Sequence, residues 1–242
     1  MKTETVILPE MKKESGSTSV APWWHTALLI LFYLAVAAAG VALQHRVQGR
    51  PHIVAHRPNM IPIYISVIGM TWGLIYYVWK GGIRRRGITA LQLIGGRWPN
   101  LKAVLVDILL ALGTWLLWLG IEFCRVWFMG PSSVASISPM LPHGAVEDIL
   151  WVMVSISGGI SEEFVFRGYL QRQLTALTGS VSVAFILQTL LFGITHSYQG
   201  VQICFAIALY GALFTLLALW RKSLRPGMIA HAWSDIAAGL LR

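Results

Sequence analysis

Residues 160–169 read ISEEFVFRGY. Two adjacent carboxylates, Glu162 and Glu163, and one guanidinium, Arg167, interrupt a segment that is otherwise mostly apolar. A charge at membrane depth costs at least about 2.5–3.5 kcal/mol by insertion scales, so it persists where it has a partner and a task. Glu147 and Asp148 open the helix that carries this stretch, where acids complement the positive end of the helix dipole. No proline or paired glycine stops it after Gly158 and Gly159, so it is expected to run to about Leu177.

Outward from that stretch, the chain of 242 residues is 56% hydrophobic and 12% charged, with a mean hydropathy of +0.64. Globular chains carry about 25% charged residues. The deficit lies in long apolar blocks, which predicts an all-α, polytopic transmembrane helix bundle. The net charge is +9. Its basic residues sit beside apolar spans, which points to anionic lipid head groups rather than nucleic acid. Cys124 and Cys204 lie in apolar stretches and read as inert, and no zinc-type cysteine spacing exists. Residues 1–22 form a polar tail of mixed charge without the form of a secretory signal.

About seven spans are expected: 24–43, 61–79, 103–123, 147–177, 181–197, 201–220 and 226–241. Three parts follow: the tail 1–22, two spans plus a basic interfacial segment over 23–102, and a core over 103–242. With the N-terminus inside, most lysines and arginines fall on the cytoplasmic side. Only Arg46, Arg50, Arg57, Arg125 and Arg242 fall outside. His45, His52 and His56 read as a solvated loop rather than a metal cluster. Arg84, Arg85, Arg86 and Arg97 read as interfacial groups meeting lipid phosphates. Asp107 and Glu122, near the ends of their span, read as structural. Residues 130–144, with Pro131, Pro139 and Pro142, read as a loop.

Four ionisable side chains remain at depth in the last helices: Glu162, His196, His231 and Asp235. Buried polar groups must find partners, and these are good candidates for one another. Glu163 and Arg167, four apart on a helix, share a face, so Arg167 neutralises Glu163. Glu162 lies about 100° round the helix, without an adjacent cation, which suits a general base. Phe192 precedes His196 by one turn and is placed to hold its imidazole, while Gly193 lets a neighbouring helix approach. His231 and Asp235, also four apart, suit water orientation, oxyanion donation or metal binding.

The order Glu-Glu-x-x-x-Arg, Phe-x-x-x-His, His-x-x-x-Asp on successive membrane helices resembles the CPBP family, also called ABI or CAAX-type intramembrane proteases. The resemblance covers roughly residues 103–241. It implies a peptidase acting on a membrane-associated protein or peptide, with Glu162 and His196 activating a water. His231 and Asp235 would orient the substrate carbonyl and stabilise the oxyanion, with Glu163 and Arg167 holding the site together. The third motif of the best-known members ends in Asn, where this chain has Asp235. The family includes many bacterial relatives, and a prokaryotic plasma membrane is the expected location. No cofactor is required on this reading. Zinc is the alternative, held by Glu162, His196 and His231, although no His-Glu-x-x-His pattern occurs.

Two other functions fit the residues alone. One is a transporter with a Glu/His/Asp proton relay, although no internal repeat is seen. The other is a non-catalytic immunity or scaffold protein. A geometric question also stands open. His231 lies five residues past Pro226, so it reaches the depth of Glu162 only if the basic turn 221–225 enters the protein or the last helix tilts.

Overall fold

A computed structural model describes residues 19–48, 58–130 and 140–241. His52 and His56, the prolines Pro131 and Pro139, and residues 1–18 of the expected tail lie outside the described residues. The long helices are α1 (Trp23–Gln48) and α2 (Ile61–Gly81), then a short α3 (Ala90–Leu93), then α4 (Leu101–Met129). The charged stretch sits in one continuous rod: α5 (Ala145–Glu162), a π-helical segment (Glu163–Leu170) and α6 (Gln171–Thr178). The chain closes with α7 (Val181–Ile194), α8 (Val201–Arg221) and α9 (Arg225–Leu240). The all-α bundle expected from composition is the observed fold.

The helix ends follow local chemistry. Asn100 caps α4 by accepting from the Ala103 amide at 2.9 Å, and Ser180 caps α7 by accepting from Val183 at 3.3 Å. Gly179 stops α6 at φ +69°, a left-handed conformation that a Cβ disfavours. Pro226 stands in the first turn of α9, where its missing N–H costs nothing. Glu147 does more than complement a dipole. Its carboxylate accepts from the amides of His143 at 2.8 Å and Met60 at 3.4 Å, joining the starts of α5 and α2.

Among the described residues, five helical segments are long and apolar enough to cross a membrane: 23–46, 61–86, 101–129, 145–178 and 201–221. The 14 residues of α7 and 16 of α9 are shorter. At 1.5 Å per residue they fall short of a hydrocarbon core of about 30 Å. The chain is an integral membrane protein, and α7 and α9 are two short helices packed among the longer ones.

The depth of His231 is explained by the turn before α9, which enters the protein. Ser223, Leu224 and Arg225 are buried. Asp107, wholly buried on α4, accepts from Trp98 Nε1 at 2.8 Å and Arg221 Nε at 2.9 Å, and pairs with Arg225 Nε at 3.2 Å. Arg225 also donates to the Gly96 carbonyl at 3.0 Å, and its guanidinium lies over the Trp98 ring. The structural part expected of Asp107 is therefore larger than snorkelling toward water. It neutralises a basic turn inside the bundle and fixes where α9 begins.

The N-terminal helices lock onto the central rod. Gln173 exchanges two hydrogen bonds with the backbone of Ala21, at 2.8 and 3.0 Å. His25 stacks on Tyr77 with centroids 4.0 Å apart and planes 5° apart, and its Nδ1 meets the Tyr169 hydroxyl at 2.8 Å. The His25 Nε2–H donates to the Tyr77 carbonyl at 3.3 Å, so Nδ1 is the acceptor for the Tyr169 hydroxyl. This polar knot ties α1, α2 and the π-helical segment at one level.

Removing one partner of a buried charge cluster strands the others, at a cost of about 3–5 kcal/mol. Asp107→Ala should destabilise the detergent-solubilised protein by about that amount in thermal or denaturant unfolding. Arg85→Ala, on the exposed turn, should change stability by no more than about 0.5 kcal/mol in the same measurement.

Candidate active site

The site begins with the change of helix type. The α-helical ladder of α5 gives way at Glu163 to a π-helical segment, and the Gln171 amide bonds back to the Phe166 carbonyl, five residues earlier. Such widened turns occur frequently at functional sites. All eight residues of this segment are buried.

Glu163 and Arg167 pair as their spacing predicts. Arg167 Nη1 donates to Glu163 Oε1 at 3.0 Å. The rest of the guanidinium is also held: Nη2 donates to the Gly211 carbonyl at 2.7 Å and Nε to Thr215 Oγ1 at 3.3 Å. Its flat face lies 4.3 Å from the Phe192 centroid, with Phe214 at 5.3 Å. A cation taken out of water is tolerable where its hydrogen bonds and aromatic neighbours replace that water.

Glu163 Oε1 also accepts from His231 Nδ1 at 3.2 Å. That bond leaves His231 Nε2 pointing at two other carboxylates, Glu162 Oε2 at 3.7 Å and Asp235 Oδ2 at 3.9 Å. The His231 ring stacks on Phe214, 5.1 Å between centroids and 16° between planes. Glu162 Oε2 is buried and finds no hydrogen-bond partner among the described residues. Glu163 thus carries the paired charge, and Glu162 Oε2 is left beside His231 without a hydrogen bond.

His196 stands at the same aromatic wall. Its Nδ1 lies 3.0 Å from the Phe192 carbonyl, which only accepts, so the neutral ring carries its proton on Nδ1. Nε2 then presents a lone pair. Phe192 is 5.2 Å from the His196 ring and 5.9 Å from the His231 ring, so it spaces the two imidazoles as well as packing on the first. No hydrogen bond or ion pair joins His196 to Glu162. Among the described residues no three His, Cys, Asp or Glu side chains come together as a metal-ligand group. The zinc set of Glu162, His196 and His231 is therefore not a set of converging ligands here.

Small residues bring the helices close enough. A Cβ on Gly159 would lie 2.7 Å from the Ala232 nitrogen, and one on Gly227 would lie 3.1 Å from Glu163 Oε2. A Cβ on Gly193 would lie 2.8 Å from both Ala208 Cβ and the Cys204 carbonyl oxygen of α8, the close approach expected of that glycine. Trp151 Nε1 donates to the Asp235 carbonyl at 2.8 Å, and Tyr210 meets Ser234 Oγ at 2.6 Å, fixing the rotation of α9.

Tyr198 was not legible as a site residue. It follows His196 by two positions, with ring centroids 6.4 Å apart. Burial pushes its phenol up to about 12, the Gln199 hydrogen bond opposing and the charges of Glu162 and Asp235 adding to the rise. It keeps its proton at physiological pH. The signal that could have found it is the run His196–Ser197–Tyr198–Gln199, a polar cluster between two apolar helices.

A bundle of bilayer-length helices that buries Glu163, Arg167 and His231, with the partly buried Glu162, His196 and Asp235 beside them, is an integral membrane protein with a polar site among its apolar helices. Residues 146–237 match the family described as type II CAAX prenyl endopeptidase Rce1-like, which supports the resemblance to the CAAX-type intramembrane proteases. All three motifs lie inside the matched residues, a shorter stretch than the 103–241 of the resemblance. No curated protein and no solved structure matches the chain.

Arg167→Lys keeps the charge but loses the fork that reaches Glu163, Gly211 and Thr215 together. It should lower stability by about 2–4 kcal/mol, read by thermal unfolding, because the partners of the guanidinium are left unsatisfied.

Proposed function

We propose that the chain hydrolyses a peptide bond of a membrane-associated protein or peptide, with Glu162 activating the attacking water. The observation that carries this reading is the division of labour between adjacent carboxylates. Glu163 is neutralised by Arg167 at 3.0 Å, and Glu162 offers a buried oxygen without a hydrogen-bond partner among the described residues.

In the proposed reaction Glu162 takes a proton from water as the oxygen bonds to the carbonyl carbon. The His196 Nε2 lone pair lies on the same aromatic wall and assists that transfer. The carbonyl oxygen becomes an oxyanion. A doubly protonated His231, held through Nδ1 by Glu163, donates to it from Nε2. Asp235 lies on the same Nε2 side of that imidazole, at 3.9 Å, and helps to orient it. The C–N bond then breaks as the proton held by Glu162 passes to the leaving amine. Asp235 in place of the familiar Asn makes it a partner for the imidazole rather than an amide donor to the oxyanion.

The substrate is a membrane-associated peptide, and the family's printed name makes a prenylated one the first candidate. By the distribution of lysine and arginine, the N-terminus faces the cytoplasm and the exposed Arg84, Arg85 and Arg86 meet anionic head groups.

Glu162→Gln and His196→Ala should each reduce cleavage of anchored peptides in proteoliposomes by about 10²–10⁴-fold, with the thermal midpoint unchanged. Mass spectrometry of the products measures this. Proton flux across the same liposomes, with intact peptides, would instead mark a transporter.

A further inference from the structure

We propose that Tyr33, on α1, belongs to the site, donating a hydrogen bond from its hydroxyl to the water that Glu162 activates. The proposal rests on the role given to Glu162, and it extends the site to a helix outside the matched residues 146–237.

The buried face of α1 runs through Thr26, Leu29, Tyr33 and Ala37, spaced three and four apart along one side. Apolar packing explains Leu29 and Ala37, and Thr26 bonds to the Tyr169 hydroxyl at 3.0 Å. Tyr33 is different. It is 8% exposed, and its ring packs on Phe166, one turn beyond Glu162, with centroids 5.0 Å apart. Its hydroxyl finds no hydrogen-bond partner among the described residues. Phenylalanine would fill the same space without burying an oxygen, so packing alone does not account for the residue type. An unsatisfied buried hydroxyl is uncommon in folded proteins and calls for a reason.

The surroundings supply one. Phe166, on which Tyr33 packs, stands edge-on to Phe192 with centroids 5.1 Å apart, and Phe192 in turn contacts both the His196 and His231 rings. Arg167 is committed to Glu163, Gly211 and Thr215, whereas Glu162 Oε2 also lacks a hydrogen-bond partner. Two buried oxygens without hydrogen-bond partners, one able to donate and one an acceptor, thus border the same ring cluster, Tyr33 through Phe166 and Phe192, and Glu162 through His231 at 3.7 Å. A water between them accepts from Tyr33 on one lone pair and donates one proton to Glu162. Its second lone pair is left to attack the carbonyl carbon. Two turns along α1, Gly40 lets the Tyr198 side chain approach, so the same helix walls the site at both levels.

The test uses the full chain in nanodiscs, with the infrared carboxyl band of Glu162 assigned as the band that Glu162→Gln removes. Tyr33→Phe keeps the ring against Phe166 and should leave the thermal midpoint unchanged or raised. It should shift the Glu162 band and slow cleavage of a fluorogenic peptide on a transmembrane anchor by roughly tenfold or more, with KM within about twofold. A Tyr33→Phe spectrum superposable on wild type, with an unchanged rate, overturns the proposal and reduces Tyr33 to packing. A Glu162→Gln variant that keeps the wild-type rate overturns the reading of Glu162 itself. Loss of rate there, with Tyr33→Phe unaffected, overturns only the part given to Tyr33.

Discussion

The fold turns on one requirement, that the guanidinium of Arg167 be fully satisfied where water does not reach it. Glu163 on its own segment supplies the countercharge, and Gly211 and Thr215 of α8 accept from the other two nitrogens. Phe192 of α7 and Phe214 of α8 cover its faces. Meeting that requirement draws α7 and α8 onto the central rod. The same Glu163 oxygen then accepts from His231, which draws in α9. One buried cation thus sets the positions of four chain segments, and the chemistry of the site is arranged around the charges it leaves over.

How far the sequence disclosed this depends on the range of the interaction. The Glu163–Arg167 pair is local, so four-residue spacing was enough to read it, as was the separate environment of Glu162. The packing of Phe192 on His196 was read in the same way. The π-helical segment was not legible, because nothing in EFVFRGYL distinguishes a widened turn from an α-helix until the neighbouring helices are in place. The two short helices were read as spans because hydropathy reports what is apolar and not what surrounds it. Buried among other helices, α9 needs no bilayer length.

Contacts between distant segments were also hidden. Asp107 looked like a residue near a helix end, and its three partners come from 98, 221 and 225. His25, Tyr77 and Tyr169 are ordinary residues until the fold stacks and bonds them. In each case a polar atom in an apolar helix was visible, but its partner was fixed only by tertiary packing. The motif residues were easier because several ionisable groups at depth in a few helices leave few ways to pair.

The close seam between α5 and α9 has a bearing on biogenesis. Gly159 faces the Ala232 backbone, and His231 and Asp235 are made after every other group described in the site. A ribosome that has inserted the first helices has therefore produced a bundle with Arg167 and Glu163 in place but without the His231 imidazole that lies 3.7 Å from Glu162. On the roles proposed for these residues, the site is assembled only when α9 leaves the exit tunnel and docks laterally against α5.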